Sequence, residues 1–153
     1  MPVTIKEIPM GCYLLSEHKG IMVQDINDVA QHAVPKLYAA AMQERVGVTG
    51  PTVFFYDMPG TAEKPFDLSV GLPVDCTARE TASGIPIVEM PAVRCACLDH
   101  VGSMNEVQET YGKIFTALEA MHEEPTWISR EIYKRWITQD SPDNVTELQV
   151  VLK

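Results

Sequence analysis

The chain of 153 residues lacks any long hydrophobic run, and no segment approaches the roughly 18 consecutive apolar residues that a membrane-spanning helix requires. Its start also lacks the basic and then apolar stretches of a secretion signal. We therefore expect a cytoplasmic protein that does not associate with membranes. A composition of 46% hydrophobic and 22% charged residues is ordinary for one compact globular domain.

Positive charge is scarce, because 12 Lys and Arg residues face 21 Asp and Glu residues, for a net charge of −9. The basic residues are scattered, whereas phosphate binding needs clustered cations. The sequence therefore predicts no direct binding of nucleic acid. The acidity favours solubility or, as a more specific interpretation, attraction for cations and basic partners.

Common catalytic motifs are also missing. The sequence contains no glycine-rich phosphate loop, no H-E-x-x-H zinc motif and no G-x-S-x-G serine-hydrolase motif. Nucleotide-binding, zinc-protease and serine-hydrolase functions therefore have no support, and the catalytic residues, if any, stay unassigned.

The main positive feature of the sequence is an internal duplication. Six residues recur at a constant offset of 82: Ile5, Glu7, Pro9, His18, Gly20 and Met22 reappear as Ile87, Glu89, Pro91, His100, Gly102 and Met104. Two repeats, at about 1–74 and 85–153, predict one pseudo-twofold domain over residues 1–153. The seam between like halves is a natural position for a ligand pocket.

The repeat also bears on the four cysteines, which form no C-x-x-C motif. Cys95 and Cys97 lie on one face of a predicted strand near His100, an arrangement that could bind a metal. However, Tyr13 and Leu15 hold the corresponding positions in the first repeat, and both are core-type residues. We therefore interpret the two cysteines as buried and apolar, and expect neither metal nor cofactor.

Hydrophobic periodicity predicts the order strand, helix, strand, strand in each repeat. In the first repeat, we expect an extended segment at 3–18, a helix between Asp25 and Gly47 that Pro35 kinks or divides, and strands at 52–58 and 66–74. A turn-rich loop at 57–64 contains Pro59 and Gly60. In the second repeat, we expect a strand at 85–101, a helix that begins with a capping box at 103–106 and stops at 124–125, and strands at 127–137 and 145–152.

These elements predict an α+β fold. The duplicated units would form a curved antiparallel sheet, with two helices on one face and the concave face open to a ligand at the pseudo-twofold seam.

Motifs in a characteristic order resemble the gyrase-inhibitor-like (GyrI-like) small-molecule-binding domains, which also form the effector-binding part of multidrug-sensing transcription regulators. The motifs are GPTVFFYD at 50–57, VGLPV at 70–74, the strand at 91–102, REIY at 130–133 and TELQV at 146–150. The resemblance spans nearly the whole chain and departs at Val151, where the family usually has a proline that matches Pro73. Because the chain begins with its first strand, we expect a stand-alone domain without DNA-binding helices.

Strand alternation places Glu131 on one face with Trp127, Ser129, Tyr133 and Arg135. A carboxylate beside aromatic rings is suited to a lipophilic cation, and the resemblance implies that Glu131 lies in the ligand pocket. The alternative is a solvated glutamate paired with Arg130, Arg135 or another surface cation. The complete predicted ligand-binding set is Glu131, Trp127, Tyr133, Tyr56, Phe54, Tyr111 and Tyr38; for the aromatic members the alternative is core packing.

The leading functional hypothesis is a stand-alone binding module for small amphipathic, often cationic organic compounds, which it would sequester or sense. One alternative is a hydrolase that opens strained rings in genotoxic small molecules, as some members of the family do. In that case Glu131, or a water that it activates, would act with Tyr133 or Tyr56. The other alternative is a gyrase-interacting protein whose acidic surface binds a basic partner.

Overall fold

The computed structural model describes residues 2–58 and 63–153. Within these ranges, the strand pairs are antiparallel and two α-helices accompany them, which confirms the predicted α+β class. The strands are β1 (Thr4–Ile8), β2 (Gly11–Ile21), β3 (Val53–Asp57), β4 (Phe66–Val74), β5 (Ile87–Met90), β6 (Val93–Val101), β7 (Pro125–Arg135) and β8 (Val145–Leu152), and the helices are α1 (Ile26–Glu44) and α2 (Val107–Met121).

The chain divides into two compact units. The first unit comprises residues up to Ile8 together with Val93–Lys153, and its strands follow the order β1-β6-β8-β7, with α2 packed on β6. The second unit, Pro9–Ala92, has the order β3-β4-β2-β5, with α1 packed on β2 and β4. Each described unit is therefore a four-stranded antiparallel sheet with one α-helix.

Each long extended segment predicted at the start of a repeat is two strands instead of one. The segment at 3–18 breaks between β1 and β2, and the segment at 85–101 breaks between β5 and β6. Pro9 and Pro91 lie at these breaks, and proline has no backbone N–H with which to continue a strand ladder. As a result, β1 pairs with β6 and β5 pairs with β2, so each unit takes its short strand from the other repeat.

Helix α1 is continuous through Pro35, so the expected division of this helix is wrong. Its buried face, which includes Ala33 and Leu37, packs against the sheet. The free energy of this packing offsets the loss of the backbone hydrogen bond whose donor proline lacks. The helix ends at Arg45 rather than Gly47, because Arg45 adopts a left-handed conformation with φ 56°. The carboxylate of Asp25 accepts a hydrogen bond from Met22 N at 3.0 Å instead of capping α1.

Half of the capping box predicted at 103–106 is present, one turn ahead of α2. Ser103 Oγ accepts a hydrogen bond from Asn105 N at 3.2 Å, at the start of a short 3-10 turn that leads into α2. The helix ends before the predicted stop, because His122 is left-handed with φ 57° and strand β7 already begins at Pro125. The apolar face of α2 packs on strands β6 and β8 in a cluster formed by Ala96, Leu98, Ile114, Leu118, Leu148, Val150 and Leu152.

Other boundaries agree with the sequence in part, and β7 lies two residues earlier at each end than the strand predicted at 127–137. Strands β4 and β8 have the predicted limits, and β3 is one residue shorter at each end. Pro59 and Gly60 of the predicted loop lie outside the described residues.

Cys95 and Cys97 are buried, as interpreted, and burial raises the pKa of the Cys97 thiol to about 12. Among the described residues, neither helix is both long and apolar enough to cross a membrane.

Candidate functional site

The site is formed around Glu131, which lies on β7 with 6% of its surface exposed. Glu131 is opposite Leu148 in the ladder between β7 and β8, and cross-strand partners share one face of a sheet. Since Leu148 packs against α2, Glu131 lies on the sheet face that carries this helix. The position predicted for the ligand is instead the open, concave face. This burial also contradicts the alternative of a solvated glutamate.

Two tyrosine hydroxyls hold the carboxylate. Tyr111 Oη on α2 donates to Glu131 Oε2 at 2.6 Å, and Tyr133 Oη on β7 donates to Glu131 Oε1 at 2.6 Å. Hydrogen bonds to an ionised acceptor are short and about twice as strong as neutral ones. The two phenols therefore offset part of the cost of burying the carboxylate and fix its position between helix and strand.

A bulge in β7 brings a further aromatic residue to this face. Tyr133 is opposite Thr146 and Arg135 is opposite Val145, so β7 has one more residue than β8 in this step. The extra residue moves Arg135 off the face predicted for it and brings Trp136 beside Tyr133. The two rings meet edge to face, with centroids 5.5 Å apart.

Two exposed aromatic residues that the predicted set does not include, Trp136 and Phe115, lie next to the tyrosines that bind Glu131. Trp136 is 45% exposed and Phe115 is 47% exposed, both unusually high values for large aromatic side chains. Phe115 is four residues after Tyr111, so the two lie on the same side of α2. The four-residue spacing from Tyr111 could have indicated Phe115. Strict strand alternation places Trp136 on the opposite face from Tyr133, so it could not have indicated Trp136.

Trp127 lies outside the regular part of the ladder. Pro125 and Ser129 are four positions apart on β7, whereas their partners on β8 are two positions apart. Thr126 Oγ1 holds this irregular segment by donating to Val151 O at 2.8 Å and accepting from Ile128 N at 3.1 Å. Trp127 is 66% exposed, and the alternation that placed it beside Glu131 does not extend through this segment.

The remaining predicted aromatic residues belong to the second unit. Phe54 and Tyr56 are buried on β3, with ring centroids 6.4 Å apart, and Tyr38 is a half-exposed residue of α1. Phe54 is opposite Val70 and Tyr56 is opposite Leu68 in the ladder between β3 and β4. Their positions on β3 correspond to those of Glu131 and Tyr133 on β7, which pair with β8 in the same register. The structure therefore brings together Glu131, Tyr133 and Tyr111 of the predicted set.

The two repeated histidines have local bonding partners. His100 Nε2 lies 2.8 Å from Ser103 O, and His18 Nε2 lies 2.8 Å from Ser16 Oγ. Burial lowers the pKa of His18, and the positive charge of Lys36 adds a smaller effect in the same direction. In residues 2–58 and 63–153, no group of three or more His, Cys, Asp or Glu side chains is arranged to hold a metal ion.

Solved structures with a similar fold cover almost the whole chain. The C-terminal domain of EcmrR has a TM-score of 0.81 at 20% identity, over 99% of this chain and 97% of that chain. A hydrolase encoded by lin2189 from Listeria innocua has a TM-score of 0.73 at 16% identity, over 99% and 91%. SAV2435, bound to tetraphenylphosphonium, has a TM-score of 0.59 at 9% identity, over 100% and 94%. At these identities, the similarity shows a common fold.

Sequence comparison identifies the family. No curated protein matches the chain significantly. The family model of the GyrI-like small-molecule-binding domain matches residues 1–153. Since this match spans the whole chain, the protein belongs to the GyrI-like small-molecule-binding domain family.

Proposed function

We propose that this domain binds small amphipathic organic cations, with the positive charge of the ligand next to Glu131. The observation that carries the proposal is the buried carboxylate held at 2.6 Å by both Tyr111 and Tyr133. A carboxylate whose position is fixed before binding attracts a cation without further ordering of the side chain. Each well-placed aromatic ring adds about 0.5–2 kcal/mol of cation–π attraction.

The composition of the protein and one fold relative support this choice of ligand. The net charge of −9 favours the approach of cations. SAV2435 shares the fold and is bound to tetraphenylphosphonium, an aromatic cation that lacks N–H donors. We propose that the domain sequesters such compounds or senses them for a partner protein, and tetraphenylphosphonium supplies a probe for the test.

The test compares wild type with Glu131→Gln by calorimetric titration, using tetraphenylphosphonium and a neutral triaryl analogue of similar shape. The substitution keeps the size of the side chain but removes its charge. Affinity for the cation is expected to fall tenfold or more, about 1.4 kcal/mol, while the neutral analogue loses little. Glu109→Gln is the matched control, because Glu109 is exposed on the side of α2 opposite Tyr111 and the substitution removes the same charge.

Equal losses for the cation and the neutral analogue in Glu131→Gln would contradict the proposal, as would equal cation affinities of Glu131→Gln and Glu109→Gln. Circular dichroism of both variants establishes that each is folded before the titrations are compared.

A second candidate function is hydrolysis of a strained ring. The geometry that favours it is the same pair of 2.6 Å contacts, because Glu131 could accept a proton from an attacking water while a tyrosine hydroxyl donates one to the leaving atom. The lin2189 protein described as a hydrolase shares the fold. Mass spectrometry distinguishes the two functions: a binding module returns the compound unaltered, whereas a hydrolase adds one water to it.

A further inference from the structure

We propose that Trp136 is a specificity-determining residue that selects cations carrying a flat aromatic group over aliphatic cations of equal charge. This inference rests on the proposed function and specifies its ligand class. Three observations carry it: the contact of Trp136 with Tyr133, the exposure of the indole, and the way in which the backbone beside it is held.

The first observation concerns the position of Trp136 relative to the carboxylate. The ring of Tyr133 lies edge to face with Trp136 at an interplanar angle of 87°, and its hydroxyl donates to Glu131. One tyrosine ring therefore separates the indole from the charged group. A ligand whose charge lies at Glu131 needs to extend only across Tyr133 to place an aryl group against Trp136.

The second observation is that the indole has an open surface. In an edge-to-face pair, one ring presents only its edge to the other, so Tyr133 leaves at least one face of Trp136 uncovered. The 45% exposure of Trp136 agrees with this geometry. An aryl group stacked on that face would be removed from water along with the indole, and an alkyl chain would lack the preferred ring-to-ring geometry.

The third observation is that the backbone on both sides of Trp136 is held in place before a ligand arrives. The next residue, Ile137, donates its backbone N–H to Asn144 Oδ1 at 2.8 Å, and Asn144 Nδ2 donates to Thr138 O at 2.6 Å. Asn144 is completely buried. On the other side, the β7 bulge fixes the direction of the chain between Tyr133 and Arg135. A rigid aromatic surface binds with little loss of conformational entropy, which suits a selective contact.

The experiment measures affinities for tetraphenylphosphonium and tetrabutylphosphonium, which carry the same charge on aryl and alkyl groups. In Trp136→Leu, affinity for the aryl cation is expected to fall about tenfold while affinity for the alkyl cation stays within about twofold. Trp136→Phe keeps a ring at this position and is expected to retain most of the preference for the aryl cation.

Tryptophan fluorescence provides a direct readout, because the sequence contains only two tryptophans, Trp127 and Trp136. In Trp127→Phe, the remaining Trp136 emission is expected to change on titration with tetraphenylphosphonium. In Trp136→Phe, the remaining Trp127 emission is expected to respond weakly. The reverse pattern would overturn the inference.

The outcomes separate this inference from the proposed function. If wild type binds neither phosphonium ion, the proposed function fails. If wild type binds both ions and Trp136→Leu, folded by circular dichroism, loses affinity for both equally or for neither, cation binding stands and the role of Trp136 is overturned.

Discussion

The phenol of Tyr111 on α2 donates a hydrogen bond of 2.6 Å to Oε2 of Glu131 on β7. Tyr111 also packs against the hydrophobic cluster between α2 and the sheet, so one side chain contacts both the core and the candidate site. The position of the carboxylate is therefore coupled to the packing of the helix. A change at Tyr111 is expected to affect both stability and ligand binding.

Tyr111→Phe is expected to lower the free energy of unfolding by about 1.5–3 kcal/mol, because it removes a hydrogen bond to a charged group and leaves Glu131 Oε2 with one donor fewer. Urea denaturation measures this loss. Tyr133→Phe is the matched variant, since it removes a bond of the same length within one strand. Hydrogen exchange in α2 is expected to accelerate more in Tyr111→Phe, and equal exchange in the two variants would contradict the coupling.

Gly71→Ala is expected to destabilise the protein by about 1–3 kcal/mol through overpacking. A Cβ atom at Gly71 would lie 2.9 Å from Phe55 Cε2 and 3.3 Å from Tyr13 Cδ1, and both rings are buried in an edge-to-face pair. Gly112→Ala is the control, because a Cβ on Gly112 of α2 meets no atom within 4 Å and should stabilise the helix by about 1 kcal/mol. Thermal unfolding of the two variants should therefore shift in opposite directions.

Arg45→Gly is expected to stabilise the protein by about 0.5–1 kcal/mol. Arg45 ends α1 with φ 56°, a left-handed conformation that glycine adopts without a steric cost. His122→Gly at the end of α2, where φ is 57°, tests the same argument at a second site. Chemical denaturation of both variants gives the measurement, and a loss of stability at both sites would contradict the explanation.

Glu147→Gln should change the pH dependence of stability. Burial acts to raise the pKa of Glu147, but hydrogen bonds from Gln149 and Lys134, with the charges of Lys134 and Lys6, hold the pKa below its ordinary value. The ionised form therefore stabilises the folded state at pH values above the unfolded pKa of about 4.3, and this contribution is lost as pH falls through the folded value.

The measurement for Glu147 is a series of melting temperatures from pH 7 to pH 3. Wild type should be more stable than Glu147→Gln at neutral pH, and the difference should shrink below about pH 4.3. Glu119→Gln, at an exposed position, provides the baseline. A difference that stays constant across this range would show that the ion pairs of Glu147 with Lys134 at 3.0 Å and Lys6 at 3.5 Å do not act as described.

Local patterns were sufficient to predict much of the secondary structure. Apolar residues at alternate positions of β4 and β8 line one face of each strand, although β8 is buried on both faces, and Ser103 signals the start of α2 because its hydroxyl binds an unpaired N–H group. Pro35 does not divide α1 into two helices. Its local preference against a helix is smaller than the stabilisation that α1 gains by packing against the sheet.

The sequence by itself determined the duplication, the α+β class and the pairing of a carboxylate with one tyrosine in the REIY segment, because these features can be read from periodicity and motif order along the chain. Only the tertiary structure decided that Tyr111 reaches Glu131, since that contact joins residues 20 positions apart on a helix and a strand. It also decided that Trp136 lies beside Tyr133. One extra residue in β7 reverses the side to which every later residue points, and a bulge depends on pairing with the neighbouring strand.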